Sequence, residues 1–224
     1  MAKRILVITN HYYPENFKVN DLVEHLIKKN YVHVVTGKPN YPHGKIYEGY
    51  HFFRKTFELV NSKLSVVRLP LVPRGSGSKF RLIINYFTYF ISLLLYSFYL
   101  LTFQKYDVII IHHTSPPFLI VPALIIKLFK KTKIVYWELD FWPDSISAVG
   151  IKLNSFFKNL IEFLMTKAYQ NFDAILIGSN SYFQKCIDRF VIEDKIHYFP
   201  NWAEKWFTVK NSNKSPIPDF PNGF

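Results

Sequence analysis

Cysteine is almost absent from this 224-residue chain: Cys186 stands alone, so no internal disulfide and no cysteine-rich zinc site can form. Such usage suits a reducing cytosol. Acidic residues are also scarce, 16 Asp and Glu against 28 Lys and Arg, and the net charge of +12 selects anionic partners: phosphorylated small molecules, acidic lipid headgroups or nucleic acid. The basic excess is spread along the chain and no signature of a nucleic-acid module occurs, which argues against nucleic acid. There are only 8 glycines. Their one close pair, Gly75 and Gly77, lacks the third glycine of a dinucleotide fingerprint and the spacing of a Walker loop, and reads as a flexible turn. No Gly-x-Ser-x-Gly elbow or His-Glu-x-x-His pair appears. His112 and His113 have no Cys or carboxylate beside them in the sequence to complete a metal site, which argues against metal ligation and leaves a ligand-facing role as one minor alternative. The amino terminus is a charged start followed by too short an apolar run for a signal peptide, so export is not expected.

What is present is core-forming material. Hydrophobic residues make up 49% and aromatics 18% of the chain, which excludes a disordered or collagen-like protein, and the length fits one sizeable α/β domain or two small ones. Short apolar runs predict strands at 4–9, 32–36, 65–69, 107–112, 133–138, 173–178 and 195–199. Segments of helical period predict helices at 17–29, 82–103, 118–129, 152–172 and 181–191. This alternation predicts an α/β fold, a parallel sheet covered by helices on both faces. Within 152–172, Leu153, Phe156, Phe157, Leu160, Ile161, Leu164 and Ala168 form an apolar stripe expected to pack inward, with Lys158 and Glu162 paired outside. From about Thr208 the chain is rich in Pro, Asn and Ser, and 204–224 reads as a linker after one domain over 1–203.

Residues 82–104 carry no charge, and at ~1.5 Å per residue they make a helix of ~34 Å, enough to cross a bilayer. Lys79, Arg81 and Lys105 flank the segment. Asn85, Tyr89, Ser92, Tyr96 and Tyr99, at steps of three and four, lay a polar stripe along one face, which lipid on all sides would not call for. The helix is therefore expected to dock on the sheet or lie at a membrane surface, with a single span as the alternative.

Open α/β sheets place ligands at the carboxyl ends of their strands. After the first strand comes Asn10-His11-Tyr12-Tyr13-Pro14-Glu15-Asn16, a loop of amide and hydroxyl groups or an ordinary Pro-containing connection, before a helix that Asn20 or Asp21 can cap. The loop after the second strand, 36–44, is long and aromatic; its Asn40 and Tyr41 suit stacking and hydrogen bonding to a sugar, or a rigid turn. Ser115-Pro116-Pro117 follows the fourth strand, with Pro117 placed to begin a helix. Asp140-Phe141-Trp142-Pro143-Asp144-Ser145 leaves the fifth with two carboxylates. They divide between stabilising positive charge and accepting substrate hydroxyls, or else make an Asx-turn and a helix cap.

Together, Tyr12-Tyr13-Pro14-Glu15-Asn16-Phe17, the loop from Thr36-Gly37-Lys38-Pro39-Asn40-Tyr41 to Tyr47, Ser115-Pro116-Pro117, Asp140 to Ser145 and Pro200-Asn201-Trp202 resemble the amino-terminal half of a bacterial family 4 glycosyltransferase. The nearest branch is the fucosamine transferases of O-antigen and capsule assembly. The resemblance implies a Rossmann-like domain of the GT-B architecture, retention of anomeric configuration without a metal or other cofactor, and a nucleotide-sugar donor, UDP-linked in the expected case. It further implies a polyprenyl-diphosphate saccharide as acceptor at the cytoplasmic face of an acidic membrane. By resemblance Asp140 is the catalytic aspartate; Glu15, Asn16, Asn40, Tyr41, Ser115, Asp144 and Ser145 are acceptor-side residues; Ser179 and Asn201 face the donor. The family's Glu-x7-Glu motif, which belongs to a second, carboxyl-terminal domain, has no match here, nor has the Gly-Gly pair common in the first loop. The competing expectation is a non-catalytic membrane platform that recruits a separate donor-binding chain.

Overall fold

The computed structural model describes residues 1–54, 56–114, 116–148 and 154–203. Eight strands form one sheet: β1 (Arg4–Thr9), β2 (Tyr31–Gly37), β3 (Phe57–Asn61), β4 (Leu64–Leu69), β5 (Val108–His113), β6 (Lys133–Glu138), β7 (Ala174–Ile177) and β8 (Ile196–Tyr198). Their order across the sheet is β3-β4-β2-β1-β5-β6-β7-β8, and every neighbouring pair is parallel except β3 with β4. The order reverses between β1 and β5, the switch point at which such sheets open a crevice. All seven expected strands are found within a residue or two. β3 was not expected, because this exposed edge strand buries no face and so shows no two-residue alternation.

Among the described residues six α-helices connect the strands: α1 (Lys18–Leu26), α2 (Lys79–Phe103), α3 (Ile120–Lys130), α4 (Asp144–Ala148), α5 (Ser155–Gln170) and α6 (Ser181–Asp188). Val19 and Val23 of α1 pack with Val7, Val34 and Val66 on one sheet face. On the other, Leu93 of α2, Ala123 of α3, Met165 of α5 and Cys186 of α6 pack with Ile8, Ile111 and Tyr136. Helices thus cover both faces, as the apolar runs with no polar alternation require.

Two helices depart from expectation. In α5 only Met165, Ala168 and Tyr169 are buried, whereas Phe156, Phe157, Leu160 and Leu164 are exposed and Ile161 is half-buried. The carboxyl-terminal half of the helix meets Tyr136 and Phe172, and the first turns meet no buried layer among the described residues. Leu153 lies outside those residues. Glu162 does not pair with Lys158; it receives the buried Arg189 guanidinium at 2.7 and 2.8 Å, a two-pronged contact that a lysine one turn away cannot offer. In α1 neither Asn20 nor Asp21 caps the helix. Asn20 folds back, accepting from Tyr13 N–H and donating to the Glu15 carbonyl, while Asp21 accepts the Trp202 indole N–H at 2.7 Å.

The expected linker, 204–224, lies outside the described residues.

Candidate functional site

Three loops at the carboxyl ends of β1, β2 and β4 are tied together by one buried carboxylate. Glu15 accepts from the backbone N–H groups of Asn40 and Tyr41 at 2.7 and 2.6 Å through one oxygen, and from His11 Nδ1 at 2.8 Å through the other. With its proton on Nδ1, His11 presents a lone pair at Nε2, and Arg74 Nη2 donates into it at 2.9 Å. The same Nη2 reaches the Tyr86 hydroxyl at 3.1 Å, and the guanidinium lies 5.2 and 5.1 Å from the Tyr41 and Tyr86 ring centroids. Asn40 is buried and its Oδ1 accepts the Arg74 backbone N–H. Among the described residues Arg74 has no carboxylate partner, and its buried Nε has no hydrogen bond.

Backbone contacts fix the same loops. Gly75 N–H donates to the Gly44 carbonyl at 2.8 Å; Gly44 sits at φ +71, and a Cβ there would lie 1.8 Å from the Gly75 oxygen. The Gly75 turn is therefore a strut between two loops, which sequence spacing alone read as a flexible turn. Lys38 is buried below the second loop and donates to the Arg54 carbonyl; burial, with the nearby Arg68 guanidinium, lowers its pKa to about 8.

Asp140 enters from β6. Burial raises the pKa of the Tyr86 hydroxyl, Arg74 lowers it, and the Asp140 carboxylate raises it further. Arg74 and Asp140 thus act on the same phenol, one from each side of the switch point. The Asp140 loop is held from behind: Arg189 donates to the Trp142 carbonyl, bonds Glu162, and lies 4.0 Å from the Phe141 centroid. Asp144 opens α4 and pairs with Lys185, while the buried Ser145 hydroxyl has no hydrogen-bond partner among the described residues. Beneath Asp140, His113 and Glu138 form a fully buried pair at 2.9 Å, so the carboxylate missing beside His113 in sequence comes from the neighbouring strand. Burial raises the Glu138 pKa, with His113 opposing.

Glu15 and Asn40, expected on the acceptor side, are buried props. Tyr41 is exposed over Arg74, and Asn16 is exposed on the first loop. Ser115 lies outside the described residues. Ser179 bonds Ser181 ahead of α6, and Asn201 is exposed beside Trp202, which stacks on Trp137. His11, Arg74, Tyr86 and Arg189 went unnoticed in the sequence. The signal available for Arg74 was its place after the third expected strand, β4, at a carboxyl end. Two cavities of about 310 and 450 Å³ open at the opposite, amino-terminal ends of the strands, away from these loops.

A family model described as Glycosyltransferase Family 4 matches residues 19–204, most of the chain and the segments that carry Asn40, Arg74 and Asp140, but not the first loop with His11 and Glu15. The chain belongs to glycosyltransferase family 4. No curated protein sequence matches this family member. Among solved structures it is similar to sucrose-phosphate synthase from Thermosynechococcus elongatus, with 12% identity and a TM-score of 0.53 over 88% of this chain and 48% of that one. It is also similar to Arabidopsis thaliana UGT89C1 complexed with UDP, with 16% identity and a TM-score of 0.51 over 88% and 51%. A UDP-N-acetylglucosamine 2-epimerase matches equally well, with 12% identity and a TM-score of 0.52 over 88% and 48%. At these identities the likeness shows the fold alone, the Rossmann-like α/β domain of the GT-B architecture. The family 4 chain spans about half the length of these three solved structures.

Proposed function

We propose that this domain is the acceptor-side half of a retaining glycosyltransferase that moves a sugar from a UDP-linked donor to a polyprenyl-diphosphate saccharide in O-antigen or capsule assembly. The reading places the enzyme at the cytoplasmic face of the bacterial inner membrane, with a carboxyl-terminal GT-B domain supplying most of the donor site. The observation that carries it is Arg74: a cation with no carboxylate partner among the described residues, pinned by His11 and Tyr86 at the rim of the Asp140 crevice. Such a preorganised guanidinium is suited to a phosphate of the acceptor.

In the proposed step the acceptor hydroxyl oxygen bonds to the anomeric carbon as the bond from that carbon to the donor phosphate breaks. The hydroxyl proton passes to the leaving diphosphate. Asp140 faces the positive charge that develops on the sugar and stabilises it. In this reading Tyr41 stacks on acceptor sugar, Asn16 and Asp144 meet its hydroxyls, Ser115 and Ser145 are assigned to the acceptor side by resemblance alone, and Ser179 and Asn201 face the donor. Glu15 and Asn40 act by positioning Tyr41 and Arg74.

The test is sugar transfer from UDP-sugars to a polyprenyl-diphosphate saccharide, by the 224-residue chain alone and with a donor-binding second domain. Transfer with retention, only when the second domain is present, is the expected result. An inverted product, or full transfer by the chain alone, overturns the proposal.

A further inference from the structure

α2 is built inside out. Its buried stripe, Asn85, Tyr89, Leu93, Ser97 and Leu100, is largely polar, and the polar groups bond to the sheet side: Asn85 to the Val72 carbonyl, Tyr89 to Thr9, and the neighbouring Ser92 to Pro70, each at 2.7 Å. The opposite face carries Phe80, Ile83, Phe87, Leu95, Phe98 and Phe103, all exposed, with Phe80 at 72% and Leu95 at 66%. A helix that is apolar outside and polar inside reverses the pattern water imposes on a surface helix. α3 extends the same layer: Phe118, just before it, meets Phe90 of α2, and Val121, Leu128 and Phe129 are exposed. An apolar patch this continuous marks an interaction surface.

Charge at its edges says what covers it. Neither α2 nor α3 contains an acidic residue. Lys79 and Arg81 stand at the amino end of α2, and at the other end Arg4, Lys105, Lys130 and Lys131 line a cavity of about 450 Å³ next to exposed Phe129, with Asp107 the one acid there. Apolar residues bordered by cations match a bilayer whose tails lie below anionic headgroups.

We propose that the α2–α3 face inserts into the surface of an anionic phospholipid bilayer, with the Lys105–Lys130–Lys131 cavity taking a lipid phosphate. α2 lies flat and stays on the sheet. Its amino end ties membrane to site, because Phe87 faces outward while the adjacent Tyr86 holds Arg74, so a lipid-linked acceptor rises beside the crevice. This purpose rests on the acceptor reading above; the docking itself does not.

The probe is flotation of the purified 224-residue chain with vesicles of phosphatidylcholine alone or with about one quarter phosphatidylglycerol, free of polyprenyl lipid. Because no acceptor or donor is present, flotation succeeds or fails independently of sugar transfer. Co-flotation is expected with the anionic vesicles and reversal is expected at alkaline carbonate. The double change Phe87→Glu with Leu95→Glu is expected to weaken it by about tenfold or more. Ile83→Glu is a milder variant on the same stripe, expected to weaken it less. Lys105→Gln, Lys130→Gln and Lys131→Gln together should abolish the preference for anionic lipid. Leu59→Glu, on the exposed edge strand, should change nothing. No flotation, flotation indifferent to the α2 variants, or equal loss with Leu59→Glu overturns the proposal. So does carbonate resistance, which means a span, or a dimer in solution that the α2 variants dissociate without any vesicle binding, which means a second copy occupies the face.

Discussion

At the scale of single residues, the site is a set of side chains whose partners come from other strands. Asp140 stood out as a candidate because it follows an apolar strand, lies three residues before a proline, and sits in a motif that resembles the family's. Arg74 was not, because an arginine in a Pro- and Gly-rich stretch looks like solvent-facing charge until His11 and Tyr86 are brought against it. In the complete enzyme, Asp140→Asn is expected to lower turnover by ~100-fold or more while leaving the melting temperature unchanged, the cost of losing a preorganised charge. Arg74→Gln is expected to raise the acceptor KM more than it lowers kcat, read from steady-state kinetics with acceptor varied. His112 is buried with its Nδ1 against Thr9, and burial, with His11 and His113 nearby, lowers its pKa to about 3. His33 is lowered to about 4, first by burial and then by Arg4. Their unfolded rings take up protons near 6.5 while the folded ones do not, so their contribution to stability is complete above that pH and is lost as pH falls toward 4. Glu138, raised by burial, acts in the opposite sense, favouring the folded state as pH falls. Urea unfolding from pH 7 to 4 should therefore show a shallower loss in His112→Gln than in the parent chain.

At the scale of elements, period gave the type and order of helices and strands, and burial decided which face each one uses. α5 shows the difference. Its three-and-four spacing predicts a helix correctly, yet the stripe continues past the part of the helix that meets the sheet, leaving Phe156 and Phe157 outside. β3 shows the converse, a paired strand with no buried face to mark it. The loops are elements too, held by struts. Gly44→Ala combines a positive φ with a clash against backbone, and is expected to cost ~1–3 kcal/mol in chemical denaturation and to separate the loops that frame Arg74. Arg189→Ala leaves Glu162 and the Trp142 carbonyl without their donor and frees the Asp140 loop. Lysine at 189 cannot bridge both and should restore little, read as the same loss of turnover in both variants.

For the whole molecule, two cores on opposite faces of one sheet predict a single cooperative unit in which local opening does not reach the centre. Cys186 reports on this. It is buried in the larger core and its thiol pKa is pushed up to about 12 by burial, with Glu138 adding. A thiol reagent is expected to leave the native chain unlabelled and to modify it in step with global unfolding monitored by circular dichroism. Labelling well before the circular dichroism transition would show that α6 opens separately. The excess of positive charge also takes on a location at this scale, since Lys79, Arg81, Lys105, Lys130 and Lys131 border the apolar outer face.

The sequence by itself determined the α/β class, seven of the eight strands, the candidate loops and the family, because hydrophobic period and turn chemistry are local and survive without neighbours. It also showed that 82–104 has two unlike faces. Only the tertiary structure decided which face turns inward. Asn85, Tyr89 and Ser92 find carbonyl acceptors on the sheet side, so the polar stripe is the inner one and the apolar side is left exposed. It also decided which charges meet. His11 with Arg74, His113 with Glu138, and Arg189 with Glu162 pair across 63, 25 and 27 positions, and such pairings exist only once distant elements are folded side by side.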